Sequence, residues 1–300
     1  MPDFLVHTSI NARRYIMDHL KERLQEFERS TGERVLLKNP GNDHSKSWLL
    51  ESIESRELPD VALSHASDFS VLDEGSRYGL FASTRAWSGI PALHPESAPF
   101  HDPSGIFHPV FIVPMVPIYN GKIVQAAELR HSWADLFEND RKVLFPDKDT
   151  PISKAVLAYL HKTWPAEYPA FRERLSFGGS PVEVLQAVGN GEFHMGISNL
   201  SFSMMAKQRN IEIDAPSEGA VALPQVLVWS AQASPELTAL HDLLMEEKLQ
   251  RYLEEQGFWA TADIPEDERM PVARWKSVWA GWDDFFAGLR ALEEGERVHA

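Results

Sequence analysis

Cysteine is absent from the sequence. Its absence excludes disulfide bonds, thiolate metal ligands and cysteine nucleophiles, and it is compatible with either a reducing or an oxidising compartment. What is present is typical of a packed globular chain: 300 residues, of which 43% are hydrophobic and 10% aromatic. This length is enough for one large domain or two ordinary domains.

Positive charge is also scarce. The chain has 29 lysine and arginine residues against 44 aspartate and glutamate residues, a formal net charge of −15, and no run rich in basic residues. Because affinity for nucleic acid comes largely from basic side chains that displace counterions at the phosphates, we do not expect a nucleic-acid partner. Long apolar runs are missing too, since no window approaches the roughly 20 apolar residues of a membrane span.

The amino-terminal segment lacks the features of a secretory signal. Residues 1–17, MPDFLVHTSINARRYIM, have no basic start, no continuous apolar core and no cleavage site of small residues. They predict a strand followed by a helix, with apolar residues at helical spacing as far as Phe27 and a stop at Gly32. We expect a periplasmic or cell-surface location if a leader has been removed, and a cytoplasmic one if Met1 is the native start.

Predicted strands and helices alternate along the chain, which is typical of a parallel sheet with crossover helices. Two long apolar strands contain prolines, FIVPMVPIYNG at 111–121 and AVALPQVLVWSAQ at 220–232. Proline is unfavourable in a central strand, but it suits a strand that leaves one sheet and enters another. We therefore predict a first lobe formed by 1–115 and 226–300, with the C-terminal helices, and a second, inserted lobe formed by 116–225.

Two groups of residues in the predicted second lobe occur in a distinctive order. A helix with a tryptophan is followed by a lysine, an apolar strand, a Pro-Asp pair and a helix start rich in serine and threonine. These residues are Trp133, Asp135, Leu136, Lys142, Pro146, Asp147, Thr150 and Ser153. The next helix ends in a second group, Val188, Gly191, Glu192, Met195 and Gly196. In order and spacing, these motifs resemble type II substrate-binding proteins of ABC importers, especially the branch for ferric iron, thiamine and related small ligands.

The resemblance implies an α/β fold of two lobes, each a mixed, mostly parallel sheet flanked by helices, with two hinge strand crossings. It also implies that the lobes close around a small ligand or ion and deliver it to the membrane permease of an ABC importer. On this hypothesis the protein is not an enzyme, needs no cofactor and acts as a monomer. A cytoplasmic sensor or enzyme on the same scaffold is the alternative, although the chain has neither a G-x-S-x-G motif nor a P-loop.

Polar residues follow several of the predicted strands, where helix N-termini present unpaired N–H groups. The candidate ligand-binding residues are Thr8, Ser9, Ser64, His65, Tyr119, Asp149, Thr150, Ser153, Ser180, Asn199 and Ser201. Because capping and ligand binding use the same residue types, each of these polar residues could instead cap its own helix. Their recurrence at equivalent strand ends favours a ring of contacts around one ligand.

Neutral donors of this kind favour an oxyanion or another small anionic or polar organic solute. The ferric-binding relatives generally use a tyrosine pair after the strand GISN, where this chain has Ser201, Phe202 and Ser203, so ferric iron held in that manner is not expected. A divalent or trivalent metal ion stays an alternative, because His7 and His65 follow neighbouring strands. No residues are assigned to a metal, since H-E-x-x-H and close His-x-His spacings are absent.

Aromatic residues recur near the C-terminus at Trp275, Trp279, Trp282 and Phe286. Their spacing predicts a last helix that carries all of them on one side. A face of this kind is typical of a surface that packs against the core, and we prefer that interpretation to a ligand-binding surface.

Overall fold

The computed structural model describes residues 1–40, 47–87, 93–206, 210–264 and 275–298. The chain divides into two compact units, the first formed by Met1–Ile112 with Pro224–Ala273 and the second by Val113–Leu223 with Arg274–Ala300. Two strands contribute residues to both units, and they are the two proline-containing strands of the sequence. Pro224 lies at one unit boundary, and Pro114 lies next to the other.

The regular elements are numbered in chain order. The strands are β1 (Asp3–Val6), β2 (Leu36–Lys38), β3 (Val61–His65), β4 (His108–Asn120), β5 (Val143–Phe145), β6 (Ser176–Phe177), β7 (Met195–Asn199), β8 (Ile211–Ile213), β9 (Ala220–Trp229), β10 (Trp259–Ala260) and β11 (Ser277–Val278). The α-helices are α1 (Ile10–Thr31), α2 (Trp48–Ser55), α3 (Glu74–Leu80), α4 (Pro151–Thr163), α5 (Tyr168–Arg174), α6 (Pro181–Asn190), α7 (Leu200–Ala206), α8 (Ala239–Leu244), α9 (Glu247–Glu255) and α10 (Trp282–Val298). Short 3-10 helices lie at Ala66–Val71, Thr84–Ala86, Pro95–Phe100, Ala126–Glu128, Trp133–Phe137 and Pro235–Thr238. Of the helices in the described ranges, none combines the length and the apolar character that a bilayer span requires.

The first unit is built on the strand order β2-β1-β3-β9-β4. Strands β2, β1 and β3 are parallel, β9 runs antiparallel to β3, and β10 pairs antiparallel with β4. Helix α1 buries the apolar side chains from Ile16 to Phe27 that recur at helical spacing. The helix ends at Gly32, whose φ of 75° lies in the left-handed region that glycine adopts without strain. The predicted stop is confirmed.

The second unit has the strand order β4-β7-β5-β6. Strands β7, β5 and β6 are parallel, whereas β4 is antiparallel to both β7 and β8. Strand β11 pairs in parallel with the first residues of β9. The core contains apolar side chains from the strands and from α6 and α7, namely Ile118, Leu144, Val184, Leu185, Val188, Phe202 and Ile211.

The C-terminal helix belongs to the second unit, which corrects the predicted assignment of all of 226–300 to the first lobe. Helix α10 packs against α4, where a Cβ at Gly288 would lie 3.6 Å from Cβ of Ala158. Lys162 of α4 and Asp284 of α10 form an ion pair of 2.9 Å. An amphipathic pattern shows that a helix has an apolar face but not which sheet that face covers, so the sequence could not decide this assignment.

The aromatic spacing near the C-terminus predicts only part of the structure correctly. Helix α10 begins at Trp282, so Trp275 and Trp279 precede it. Trp282 and Phe286 are buried as predicted, at 6% and 2% exposure. Trp275 and Trp279 are only partly buried.

Candidate functional site

In the first unit, Thr8 and His65 are joined through a residue of β9. Thr8 Oγ1 donates to Gln225 Oε1 at 2.9 Å, and the amide nitrogen of Gln225 contacts His65 Nδ1. Gln225 lies opposite His65 in the antiparallel pair of β3 and β9, which fixes this contact. All three residues are buried. Sequence reasoning missed Gln225, although a single amide within the otherwise apolar run AVALPQVLVW was a usable signal.

Ser64 belongs to a hydrogen-bonded cluster around the carboxylate of Asp68. The Ser64 hydroxyl donates to Asp68 Oδ2, Trp48 Nε1 donates to Ser64 Oγ at 2.9 Å, and His7 Nδ1 lies 2.9 Å from Asp68 Oδ2. Burial by itself would raise the pKa of Asp68, but the charge and hydrogen bond of His7 together with His65 and Ser64 hold it well below its ordinary value. The Ser64 hydroxyl therefore stabilises a carboxylate in its own unit.

The N-terminus of α1 carries no side-chain cap in the described part of the chain. Ser9 occupies the N-cap position without a capping hydrogen bond, and the first turn contains no acidic residue. The positive end of the helix dipole is thus not offset by a neighbouring carboxylate of the same turn. The buried guanidinium of Arg13, whose pKa is lowered by burial, donates from Nη2 to the carbonyl oxygen of Thr8 at 2.8 Å. Since arginine stays protonated in proteins, it adds a fixed positive charge beside Thr8.

In the second unit, three parallel strands bring predicted site residues to one edge of the sheet. Thr150 follows β5, Ser180 follows β6, and Asn199 ends β7. The Asp147 N–H donates to the carbonyl oxygen of Gly179 at 2.9 Å, which joins the loops after β5 and β6. The N-termini of α4 and α6 therefore begin at neighbouring positions of this edge.

The polar side chains at the start of α4 and α6 are engaged in capping. Thr150 Oγ1 accepts the N–H of Ser153 at 3.3 Å and donates to the carbonyl of Asp147 at 2.8 Å. The Ser153 hydroxyl donates to the carbonyl of Pro146 at 2.9 Å. Ser180 forms a reciprocal capping box with Glu183. The hydroxyls of Thr150 and Ser180 serve the capping role that the sequence left open, and the Ser153 hydroxyl is satisfied by the loop that precedes its helix.

Asn199 differs from the caps because half of its amide has no partner. Its Oδ1 accepts the N–H of Phe202 at 2.8 Å, and this bond fixes the orientation of the amide. Its Nδ2 is buried and has no acceptor among the residues described, while the residue as a whole is 1% exposed. Because an unpaired buried donor costs about 1 to 3 kcal/mol, an acceptor placed here would recover that energy.

Ser201 and Asp149, two further predicted site residues of the second unit, differ in burial. Ser201 is buried within α7, two residues after Asn199. Asp149 is exposed in the loop before α4.

Tyr119 is not brought to this edge of the sheet. It pairs with Met195, at the opposite end of β7 from Asn199, which pairs with Met115. Burial, followed by the charges of Glu212 and Asp214, raises the pKa of Tyr119 above its ordinary value. Its inclusion in the predicted ring of contacts is therefore corrected, because strand register separates it from the loops after β5, β6 and β7.

The metal alternative receives no support from the described ranges, where no group of three or more histidine, aspartate or glutamate side chains is arranged to hold an ion. His7 contacts Asp68, and His65 contacts Gln225. The two imidazoles meet edge to face, with ring centroids 5.4 Å apart.

Replacement of Thr150 tests its capping role. We expect Thr150→Ala to lower the free energy of unfolding by about 1 kcal/mol, because Ser153 N–H loses its acceptor. Thr150→Ser keeps the hydroxyl and serves as the matched control. Urea denaturation measures both variants, and equal stability of the alanine and serine variants would contradict the capping role.

A family model of bacterial extracellular solute-binding proteins matches residues 56–286 of the chain. No curated protein is significantly similar in sequence. The match covers most of the chain and includes both proline-containing strands and the three strand ends of the second unit.

Solved structures of binding proteins share the fold. The chain is similar to the ferric binding protein from Campylobacter jejuni, with 14% identity, a TM-score of 0.72 and 98% of each chain covered. The IdiA (FutA) protein of Trichodesmium in complex with iron and citrate has 15% identity and a TM-score of 0.70, again with 98% of each chain covered. A periplasmic thiamin binding protein has 16% identity and a TM-score of 0.65, with 98% of this chain and 93% of the other covered. These likenesses confirm the predicted type II fold.

Proposed function

Because the chain belongs to the family of bacterial extracellular solute-binding proteins, we propose that it captures a small solute in the periplasm or at the cell surface and delivers it to the permease of an ABC importer. Family members and the similar structures are binding proteins, and the proposal assigns no catalytic step to this chain. The unpaired amide of Asn199 and the helix N-termini at the strand ends supply hydrogen-bond donors, and they need no chemistry beyond recognition.

The proposed solute is a small oxyanion or a small anionic or polar organic molecule. The observation that carries this choice is the buried, unpaired Nδ2 of Asn199, which an oxygen atom of a solute would satisfy. The N-termini of α4 and α6 begin at the same edge, and helix N-termini favour negative charge. In the first unit, the uncapped start of α1 and the buried guanidinium of Arg13 have the same preference.

The residues of the second unit fit an anion better than they fit iron held by phenolate groups. The residues at the start of α7 are Ser201, Phe202 and Ser203, and the Ser203 hydroxyl donates to the carbonyl of Asn199 at 3.0 Å. Hard phenolate oxygens are suited to ferric iron, whereas hydroxyl and amide donors are suited to anions. The proteins of known structure named above bind iron or thiamin, so the solute of this chain is best identified directly.

Native mass spectrometry of protein purified without chelators tests the proposal. We expect an additional mass that corresponds to a small acid, an oxyanion or a polar organic molecule, released when the protein is denatured. If no solute is retained, calorimetric titration with inorganic phosphate, sulfate and citrate provides the probes. A retained ferric ion without any accompanying anion would contradict the proposed solute class but not the binding function.

Substitution of Asn199 tests the donor directly. Asn199→Asp keeps the oxygen that accepts the N–H of Phe202 but replaces the unpaired donor with a second oxygen, so we expect affinity for the identified anion to fall at least about tenfold. Asn190→Asp, the same change at an exposed position of α6, is the matched control. Equal affinity of the two variants would exclude Asn199 from the site.

Closure of the two lobes around the solute, a monomeric state and the action of an ABC permease as partner stay predictions. They follow from the family and from the resemblance seen in the motifs around Trp133 and Val188. Light scattering at several protein concentrations would test the monomer, and reconstituted uptake would test the permease.

A further inference from the structure

Thr8, Gln225 and His65 form a continuous row of hydrogen bonds in the first unit. Thr8 Oγ1 donates to Gln225 Oε1 at 2.9 Å, and Gln225 Nε2 contacts His65 Nδ1. All three side chains are buried. Since water has little access to them, the direction of each bond in the row depends on the next bond. We name these three side chains the Gln225 relay.

The amide of Gln225 sets the direction of both bonds in the relay. An amide nitrogen can only donate, so His65 Nδ1 accepts and the neutral ring carries its proton on Nε2. The amide oxygen can only accept, so the Thr8 hydroxyl is committed as a donor to Gln225. Gln225 therefore determines the tautomer of His65 and the direction of the Thr8 hydroxyl together.

A proton added to His65 reverses the relay. The charged imidazole donates from both nitrogens, so its Nδ1–H would face the donor Nε2 of Gln225. A half-turn of the amide removes this conflict, because Oε1 then accepts from His65 and Nε2 donates to Thr8 Oγ1. The two ends of an amide are nearly equal in size, so the half-turn needs no repacking. Thr8 Oγ1 becomes the acceptor of this bond, and its own proton is released to a different acceptor.

The charged groups near the relay act on His65 in opposite directions. The carboxylate of Asp68 lies within electrostatic range of His65 and favours the charged ring. His7 is paired with Asp68, and its ring meets that of His65 with centroids 5.4 Å apart, so it opposes the charged ring when it is itself protonated. Arg13, which donates to the carbonyl of Thr8 at 2.8 Å, adds a fixed opposing charge. Of these groups, only the two imidazoles change charge where histidine ordinarily titrates.

We propose that Gln225 is a positioning residue of the binding site, which couples the direction of the Thr8 hydroxyl to the protonation of His65. Thr8 follows β1 and directly precedes the N-cap residue of α1. The hydroxyl donates to Gln225 when His65 is neutral, and it donates to an oxygen of the solute when His65 is charged. Affinity for an oxyanion therefore rises as the pH falls through the titration of His65. This link to the solute rests on the function proposed above, whereas the relay itself does not.

Nuclear magnetic resonance of the full chain between about pH 5 and pH 8 tests the relay without any solute. The signals are the ring protons of His65, the side-chain amide of Gln225 and the methyl group of Thr8. The methyl group of Thr31 is the internal control, because the Thr31 hydroxyl donates to the carbonyl of Phe27. We expect His65, Gln225 and Thr8 to change with one common midpoint that Thr31 does not share.

Two variants separate the relay from other effects of pH. Gln225→Met keeps the length of the side chain but removes the amide, so we expect Thr8 to lose the midpoint of His65. Gln25→Met, the same change at an exposed position of α1, is the matched control and keeps that midpoint. His65→Gln removes the titrating ring, and it covers the case in which Gln225→Met fails to fold. It should abolish the midpoint at both Gln225 and Thr8.

The relay is overturned if Gln225 and Thr8 do not follow His65 in the wild type. It is also overturned if Thr8 keeps the same midpoint in a folded Gln225→Met variant or in His65→Gln.

Calorimetric titration with sulfate, which keeps its charge across this pH range, tests the link to the solute. We expect the affinity of the wild type and of Gln25→Met to rise at least about fivefold on acidification, and that of Gln225→Met to change clearly less. Equal pH dependence of Gln225→Met and Gln25→Met would overturn the link. A wild type that binds no sulfate would overturn the link for this oxyanion without affecting the relay, whose test needs no solute.

Discussion

Acidification from about pH 7 to about pH 3 is expected to lower the free energy of unfolding by about 4 kcal/mol through a single residue, His241. His241 lies on α8 and is 1% exposed. Neither nitrogen of its ring has a hydrogen-bond partner within the part of the chain that the structure describes. Its aromatic neighbours are His108 and Trp229, with ring centroids 5.9 Å and 6.5 Å away.

Burial is the main reason for this expectation. It disfavours the charged imidazole and, with a smaller contribution from the charge of His108, lowers the pKa of His241 to about 3. An unfolded chain binds this proton at its ordinary pKa of about 6.5. Between these two values the unfolded state binds more protons than the folded state, so stability falls as the pH falls. Above about pH 6.5 both states are neutral at this residue, and it contributes no pH dependence.

The measurement is urea denaturation across this pH range for the wild type and for His241→Leu. The variant replaces the buried imidazole with an apolar side chain, so we expect the two proteins to differ progressively below about pH 6.5, with the variant more stable. His101→Leu, the same change at an exposed histidine, is the matched control. If the pH dependence of the wild type and the His241 variant is identical, the imidazole is not held neutral.

The fold could be predicted from the sequence because its signals are local and repeated. Helical spacing as far as Phe27 with a stop at Gly32 identified α1, and the prolines in two long apolar strands marked those that enter both units. The placement of α10 depends on contacts such as that between Gly288 and Ala158. Such contacts join residues more than 100 positions apart, and no periodicity within either helix encodes them.

The candidate site was less predictable because it depends on strand register and on the partners of each polar atom. Residue type identified Thr150 and Asn199 equally well, yet the hydroxyl of Thr150 is occupied in capping, whereas Asn199 retains an unpaired donor. The register of β4 against β7 places Tyr119 opposite Met195, at the end of β7 that is remote from Asn199. Gln225 was missed because its contacts come from Thr8, which follows β1, and from His65 of β3, both far from it in the sequence.

The second large effect is expected at Asp68. Asp68→Ala removes the acceptor of the Ser64 hydroxyl and the partner of His7 Nδ1, so we expect the free energy of unfolding to fall by about 3 kcal/mol at neutral pH. The Asp68 side chain is 15% exposed, and little water is available to replace these bonds. Asp68→Asn keeps an oxygen acceptor but loses the charge beside His7, and we expect it to show an intermediate loss.

The pH dependence of this loss identifies the charge as its cause. The pKa of Asp68 is lowered in the folded state, so the carboxylate contributes its full stability above the unfolded pKa of about 4 and loses it as the pH falls further. Differences between the wild type and Asp68→Ala should therefore shrink in strong acid. Asp73→Ala, which removes an exposed N-cap carboxylate of α3, is the control and should have a clearly smaller effect. Equal losses for Asp68→Ala and Asp73→Ala would mean that the cluster of His7, Ser64 and Trp48 does not depend on the carboxylate.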